Sequence, residues 1–317
     1  MTRDKPPQRP VRRDADAPRR RHYSVGGQVF EAPALAGGLY LVATPIGNLR
    51  DVTLRALEVF AAADLIACED TRVTRKLLDH YGIATPMTAY HEHNAAEARP
   101  RLLARLADGA AVALASDAGT PLISDPGYKL VRAAREAALA VTPLPGASAV
   151  LAALVSSGLP TDRFFFEGFL PPKEAARRAR IGEIGRIPAT LILFETGPRL
   201  AAALADLAAE LGPRSATVCR ELTKLHEETR AGDLVELAQA YAAADPPRGE
   251  IVIVVAPPDP QTRQADAADI DALLRAALRR TSVKEAVGEV ASATGEPRRA
   301  VYQRALEIAK EDGDGAA

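Results

Sequence analysis

Apolar positions in this chain fall in short dense runs separated by stretches with helical spacing. Leu39–Ala43, Asp64–Cys68, Met87–Tyr90, Ala111–Ala115 and Ala140–Leu144 are runs of four or five residues, the size and density of strands buried on both faces. Between them, Asp51–Ala63 (with Asp51 placed to cap its N-terminus), Arg72–Tyr81, Asn94–Ala107 and Tyr128–Leu139 read as helices, and an Ala/Val/Leu-rich helix runs to Ser157. Strands alternating with helices predict an α/β fold with a mostly parallel sheet.

Leu159-Pro160 marks a change. Phe164–Phe169 is a strand holding four of the seven Phe residues, followed by a basic helix over Lys173–Arg186 and a strand over Thr190–Glu195. Thr196-Gly-Pro198 opens another helix with Pro at an early position. Ala216–Glu221, His226–Ala231 and Glu250–Ala256 read as strands, with a helix over Leu234–Ala244. This half is richer in strands and reads as mixed or antiparallel. Pro257–Ala268 reads as a linker, and Ile270–Arg280, Ser282–Ala291 and Pro297–Lys310 as three helices, the last two spaced like a helix-turn-helix. A small helical cap on the main body accounts for them equally well. The expected domains are a disordered basic tail (1–36), a first α/β domain (37–157), a second α/β domain (158–258) and a helical domain (269–312).

One connection is unusual. Ser116–Gly127, between a strand and a helix, has twelve residues where roughly two to six are usual. It is stiffened by Pro121 and Pro126, and open α/β sheets place ligands outside such strand ends. An ordinary connection capped by Asp125 and Pro126 is the plainer reading, and its length counts against it.

Composition narrows the class. Of 317 residues, 47% are apolar and 26% charged, which is ordinary for a soluble globular chain. No apolar run approaches the ~20 residues of a membrane span, and the Arg- and Pro-rich start does not resemble a secretory signal. Cys68 and Cys219, both in apolar runs, read as buried thiols of a reducing cytosol, so a cytoplasmic location is expected. The five His residues show no ligand spacing, and no metal site is expected. Basic residues concentrate in Arg3–Arg21 and Arg275–Lys310, which points to nucleic acid or, for the first patch, to a solubilising tail.

Three turns containing Gly or Pro follow apolar strands: Thr44–Asn48, Asp117–Pro126 and Pro145–Ser148. In a parallel sheet they share an edge and suit a small flat or zwitterionic ligand. None is a Walker loop or a dinucleotide fingerprint. The residues alone lead to an α/β enzyme with a nucleotide-like ligand.

Seven segments in order carry a resemblance. They are Leu41–Asp51, Ala67–Arg72, Ser116–Gly127, Pro143–Ser148, Asp162–Pro171, Arg220–Lys224 and Gly249–Val254. Together they resemble the RsmI family of bacterial 16S rRNA (cytidine-2′-O)-methyltransferases, within the tetrapyrrole-methylase superfamily. The resemblance runs from about Gly38 into the C-terminal helices. It implies a two-domain fold that holds S-adenosylmethionine in the cleft between domains. It also implies that Ile46, Gly47, Asp117, Gly119, Thr120, Ser148, Ala149 and Phe194 contact the cofactor, with Glu195 on the far side. Thr120 stands where tetrapyrrole methylases carry Asp in a Gly-Asp-Pro sequence, which matches the RNA-modifying branch and argues against a porphyrin-type substrate.

The implied reaction methylates a cytidine ribose in the decoding region of 16S rRNA, in the 30S subunit or free. Cofactor positioning supplies much of the acceleration, and a carboxylate or imidazole accepts the 2′-hydroxyl proton. Candidates are Glu69, Asp70, His91 and Glu195; ion pairing that caps the following helix explains Glu69, Asp70 and Arg72 equally well. Phosphate contacts would come from Arg72, Arg75, Lys76, Lys173, Arg298 and Arg299. Many members of the superfamily are dimers, so a homodimer is expected. Two rivals remain: a tetrapyrrole or precorrin methyltransferase of the same fold, and a non-catalytic RNA-binding protein of ribosome assembly.

Overall fold

The computed structural model describes residues 21–259, 270–294 and 296–314. The chain forms two compact units. One comprises the residues up to Ser156 together with Cys219–Thr229, the other Ser157–Val218 and the chain from Arg230 onward.

The first unit is built on a five-stranded parallel sheet of β3 (Gly38–Val42), β4 (Leu65–Cys68), β5 (Met87–Ala89), β6 (Ala111–Ala115) and β7 (Val141–Leu144), in the order β5-β4-β6-β3-β7. Alternation along each strand feeds two cores. Val42, Ile66, Cys68, Ala113 and Ala115 face α1 (Leu54–Ala62) and α2 (Thr71–His80). Leu39, Leu65, Ala67, Val112 and Leu114 pack with Leu102 and Leu106 of α3 (Ala95–Ala107) and Leu130 and Ala134 of α4 (Tyr128–Glu136). Both faces are covered at the centre of the sheet, so β4 and β6 read as solid apolar runs. A further helix, α5 (Ala149–Ser156), follows β7.

Two details depart from the sequence-based expectation. The tail expected to be disordered through residue 36 holds a hairpin, β1 (His22–Val25) and β2 (Gln28–Glu31), whose Gly26-Gly27 turn has φ of 58° and 83°, the left-handed geometry of a two-residue hairpin turn. Tyr23 is buried in the α1/α2 core and stacks on Phe30 at 5.5 Å, and Ser24 N–H donates to Tyr81 O at 2.7 Å. Residues 1–20 of the expected tail, and 260–268 of the expected linker, lie outside the described residues. Helix α1 begins at Leu54 rather than Asp51: Thr53 caps it by accepting from Ala56 N–H, while Asp51 sits in a 3₁₀ turn, Leu49–Asp51.

The second unit carries a mixed sheet in the order β11-β10-β12-β9-β8, from β8 (Phe164–Phe169), β9 (Thr190–Thr196), β10 (Ser215–Arg220), β11 (Glu228–Asp233) and β12 (Glu250–Val255). Strand β9 is parallel to β8 and antiparallel to β12. Leu200, Ala203, Leu204 and Leu207 form the buried stripe of α7 (Gly197–Leu211), the i, i+3, i+4, i+7 pattern of a helix on a sheet. Helix α6 (Glu174–Ile184) is tied to α7 by a buried ion pair, Arg177 Nε to Asp206 Oδ2 at 2.6 Å. Helix α8 (Leu234–Ala242) adds Leu234 and Leu237 to this core. The C-terminal helices α9 (described over 270–278), α10 (Val283–Thr294) and α11 (Arg298–Asp314) have their own core, including Leu274, Val287, Val301 and Ile308. The expected 158–258 domain is thus interrupted, because Cys219–Thr229 belongs with the first unit. Among the described residues, no helix is long and apolar enough to cross a membrane.

Candidate functional site

All five strands of the first sheet run parallel, so their C-terminal ends meet along one edge. There the turn after β3 is bonded to the long loop after β6 as a short antiparallel bridge. Thr44 N–H donates to Gly119 O at 2.9 Å, and Gly119 N–H donates to Thr44 O at 3.0 Å. Thr44 Oγ1 donates to Ser116 O (3.1 Å) and Ser116 Oγ to Gly119 O (2.9 Å). Thr120 Oγ1 donates to Ala147 O at 3.1 Å, which ties the loop to the turn after β7. Asp117 Oδ1 accepts Asp70 N–H at 2.9 Å, which ties it to the end of β4. The turns bearing Ile46, Gly47, Asp117, Gly119, Thr120, Ser148 and Ala149 are therefore stitched into one surface.

Backbone conformation explains part of this sequence. Gly119 has φ of 79°, and a Cβ there would lie 3.1 Å from Ile46 Cγ2. Leu122 and Ser124 also take left-handed φ, 74° and 62°, at a cost of roughly 1–3 kcal/mol each for non-glycine residues. A further turn completes the surface from far along the chain. Asn48 N–H donates to Thr223 Oγ1 at 3.2 Å, and a Cβ on Gly47 would strike Lys224 Cγ.

Carboxylates dominate the electrostatics. Burial, followed by the charge of Glu69 and then Asp117, pushes the Asp125 carboxyl up to about 6, against a lowering hydrogen bond from Ser116. Glu69 is raised by burial, then by Asp117 and Asp70, with His91 opposing. Asp70 is held down at about 2 by hydrogen bonds from the Arg72 side chain and backbone. Asp70 is therefore a poor proton acceptor, and it also fills the capping role weighed above, as N-cap of α2. The plainer reading of the loop gives Asp125 only a capping role. In fact Gly127 stands at the N-cap of α4, with no side-chain cap bond. The available signal was a second Asp in the same long loop, eight residues after Asp117. No motif gave a role to Thr223.

Phe194 and Glu195 belong to the second unit, on opposite faces of β9. Phe194 packs edge-on against Phe166 (4.9 Å) and Phe169 (5.7 Å). Glu195 is 3% exposed; its Oε1 accepts Thr196 N–H at 2.8 Å and lies 3.2 Å from Arg199 Nε. Only Oε1 is held by the helix start; Oε2 is buried with no hydrogen-bond partner among the described residues. Of the expected RNA contacts, Arg72 is exposed and paired with Asp70, Arg75 lies 3.8 Å from Asp79, and Lys76 adds its charge beside Asp70. Lys173 is exposed ahead of α6, and Arg298 and Arg299 are exposed at the start of α11.

Comparison with known proteins places this geometry. Residues 38–238 match the family model of tetrapyrrole (corrin/porphyrin) methylases, and residues 264–309 match that of the RsmI C-terminal HTH domain. The ribosomal RNA small subunit methyltransferase I of Mesorhizobium japonicum is 53% identical over 292 residues, covering 92% of this chain and 99% of that protein. The protein of the same name from Escherichia coli O157:H7 is 47% identical, covering 86% and 95%. Among solved structures, diphthine synthase matches with a TM-score of 0.54 at 18% identity, covering 69% of this chain and 89% of that one. Uroporphyrin-III-C-methyltransferase from Thermus thermophilus matches at 0.50 and 20% identity, covering 69% and 94%. These distant matches establish the tetrapyrrole-methylase fold, and the near relatives establish the branch: the chain belongs to the ribosomal RNA small subunit methyltransferase I family.

Proposed function

We propose that this protein methylates the ribose 2′-oxygen of a decoding-region cytidine in small-subunit rRNA, with S-adenosylmethionine as donor. The observation that carries the reading is the hydrogen-bonded union of the β3, β6 and β7 turns beside a carboxylate of raised pKa. The names of the near relatives supply the substrate class. The residues fit the cofactor: the Gly119 backbone lies open where a side chain would crowd Ile46, leaving small residues and backbone groups to face a ligand. Ile46, Gly47, Asp117, Gly119, Thr120, Ser148 and Ala149 would hold it. When bound, the cofactor supplies a methyl group activated on a sulfonium sulfur.

The chain's own contribution is position and proton transfer. Asp125 would accept the proton of the ribose 2′-hydroxyl as that oxygen takes the methyl group, the donor's carbon–sulfur bond breaking with its electron pair left on sulfur. Glu69 sustains the basicity of Asp125 by its negative charge. The backbone bridge between Thr44 and Gly119 fixes the turns, so that little alignment is left to be lost at the moment of reaction.

The test is transfer of radiolabelled methyl to 30S subunits and to naked 16S rRNA, with the product mapped by resistance of the modified ribose to alkaline cleavage. Label at one decoding-region cytidine is expected. Saturable cofactor binding with no label on any RNA would reject this reading in favour of a tetrapyrrole substrate.

A further inference from the structure

Strand β8 has an aromatic composition that the fold does not use. It is an edge strand of its sheet, and only Phe165 packs against the second unit's core. Phe164 and Phe169 are 45% and 53% exposed. An apolar edge is a liability that proteins ordinarily blunt with charge or cover.

The strand is also shaped to gather its rings. Without the irregularity at Glu167, Phe166 and Phe169 would point to opposite faces. The extra residue between Phe166 and Gly168 restores the phase, so Phe166 pairs with Ile192 and Phe169 with Phe194, and both share the Phe194 face. The bulge is clamped: Arg180 of α6 donates to both oxygens of Glu167, each at 2.7 Å, and Glu167 is 12% exposed. The result is a set of edge-on rings, Phe166 and Phe169 against Phe194, with Phe164 further along the same face.

Cations bracket the strand. Arg163 precedes it directly and Lys173 follows four residues after Phe169; both are exposed and have no carboxylate partner among the described residues. Lys173 occupies the N-cap of α6, where it has no acceptor to offer and makes no side-chain cap bond. Its charge also opposes the helix dipole, so local stability does not account for it. Aromatic faces flanked by free cations are complementary to the unpaired bases and phosphates of single-stranded RNA.

We propose that the β8 edge is a base-stacking platform on which Phe164 and Phe169, opposite Thr190 and Phe194 of β9, each stack an unpaired base of the rRNA substrate while Arg163 and Lys173 contact the phosphates. The inference rests on the rRNA reading above, and adds to it an RNA contact surface on the second unit. Phe166 and Phe194 back the platform, and Arg180 is a positioning residue acting through Glu167.

The experiment measures RNA affinity, methyl-transfer kinetics and cofactor affinity for Phe164→Ala, Phe169→Ala, Phe169→Leu, Phe169→Trp and Lys173→Gln, using the full chain and the same 30S or 16S rRNA substrate. The alanine variants are expected to raise KM and the dissociation constant for RNA roughly tenfold or more, with cofactor affinity unchanged. Phe169→Trp keeps affinity, and Phe169→Leu loses it despite its apolar bulk. Lys173→Gln lowers the salt slope of RNA binding by about one. Unchanged RNA affinity in the alanine variants overturns the proposal, as does weakened cofactor binding alone. A change of oligomeric state at constant RNA affinity overturns it in favour of contact with a second copy. Failure of the parent protein to methylate any RNA would instead reject the function itself, so the two failures are distinguishable.

Discussion

Asp125 has an acidity that can be read out directly. It is proposed as the proton acceptor and is raised to about 6, with Glu69, Asp117 and Ser116 around it. Its active form is the carboxylate, so kcat/KM should climb with pH up to about 6 and then level off. Asp125→Asn should lower kcat by about 10²–10⁴-fold and remove this acid limb. Glu69→Gln is the sharper probe. Because the Glu69 charge helps to raise Asp125, the limb should move to lower pH, as expected of a coupled pair. A limb that stays in place in both variants would assign it to another group. Stability moves in the opposite sense to activity. A carboxyl raised in the folded state penalises folding above its folded pKa, and the penalty fades toward its unfolded value of about 4. Asp125→Asn should therefore raise the melting temperature at pH 7, and thermal melts should show the gain shrinking as pH falls toward 4.5.

At the scale of elements, the periodic strands and helices of both units were legible because each buries one stripe or both faces against a neighbour. The hairpin at residues 22–31 was not foreseen, although Gly26-Gly27 between two short β-rich runs is a recognised hairpin signal. Charge and Pro density upstream obscured it. The start of α1 is not fixed by sequence, because Asp51 and Thr53 are both good caps and only tertiary geometry selects between them. The pairing of α6 with α7 was equally invisible to periodicity. Arg177 looks like any residue of a basic helix, yet its side chain is 8% exposed and that of its partner Asp206 is 11% exposed. Arg177→Met leaves a buried uncompensated carboxylate and should cost about 3–5 kcal/mol. Differential scanning calorimetry should show a drop of roughly 10 °C. Adding Asp206→Leu should recover most of it; no recovery would mean that packing, not charge, dominates.

For the whole molecule, the C-terminal helices carry a core of their own. A chain ending near Val255 should keep its cofactor affinity and lose RNA affinity, as isothermal titration with each ligand separately would show. An equal loss of both would mean that these helices support the cofactor site instead. The ring of turns around the site was legible one turn at a time, yet its closure was not. Asn48 meets Thr223 across 175 positions of sequence, and nothing in local pattern announces so distant a partner. That span also acts as a clock. At about 5–20 residues per second, synthesis reaches Thr223 roughly 9–35 s after Asn48. From Leu144 onward the nascent first unit has every strand of its sheet but still lacks the segment that braces the first turn. Ribosome-stalled chains in which Ser156 but not Cys219 has left the exit tunnel should be cleaved by protease in Thr44–Asn48, with protection arriving only once Thr229 has left it. A cell making this enzyme would thus hold its newest copies inert toward the cofactor until most of the polypeptide exists.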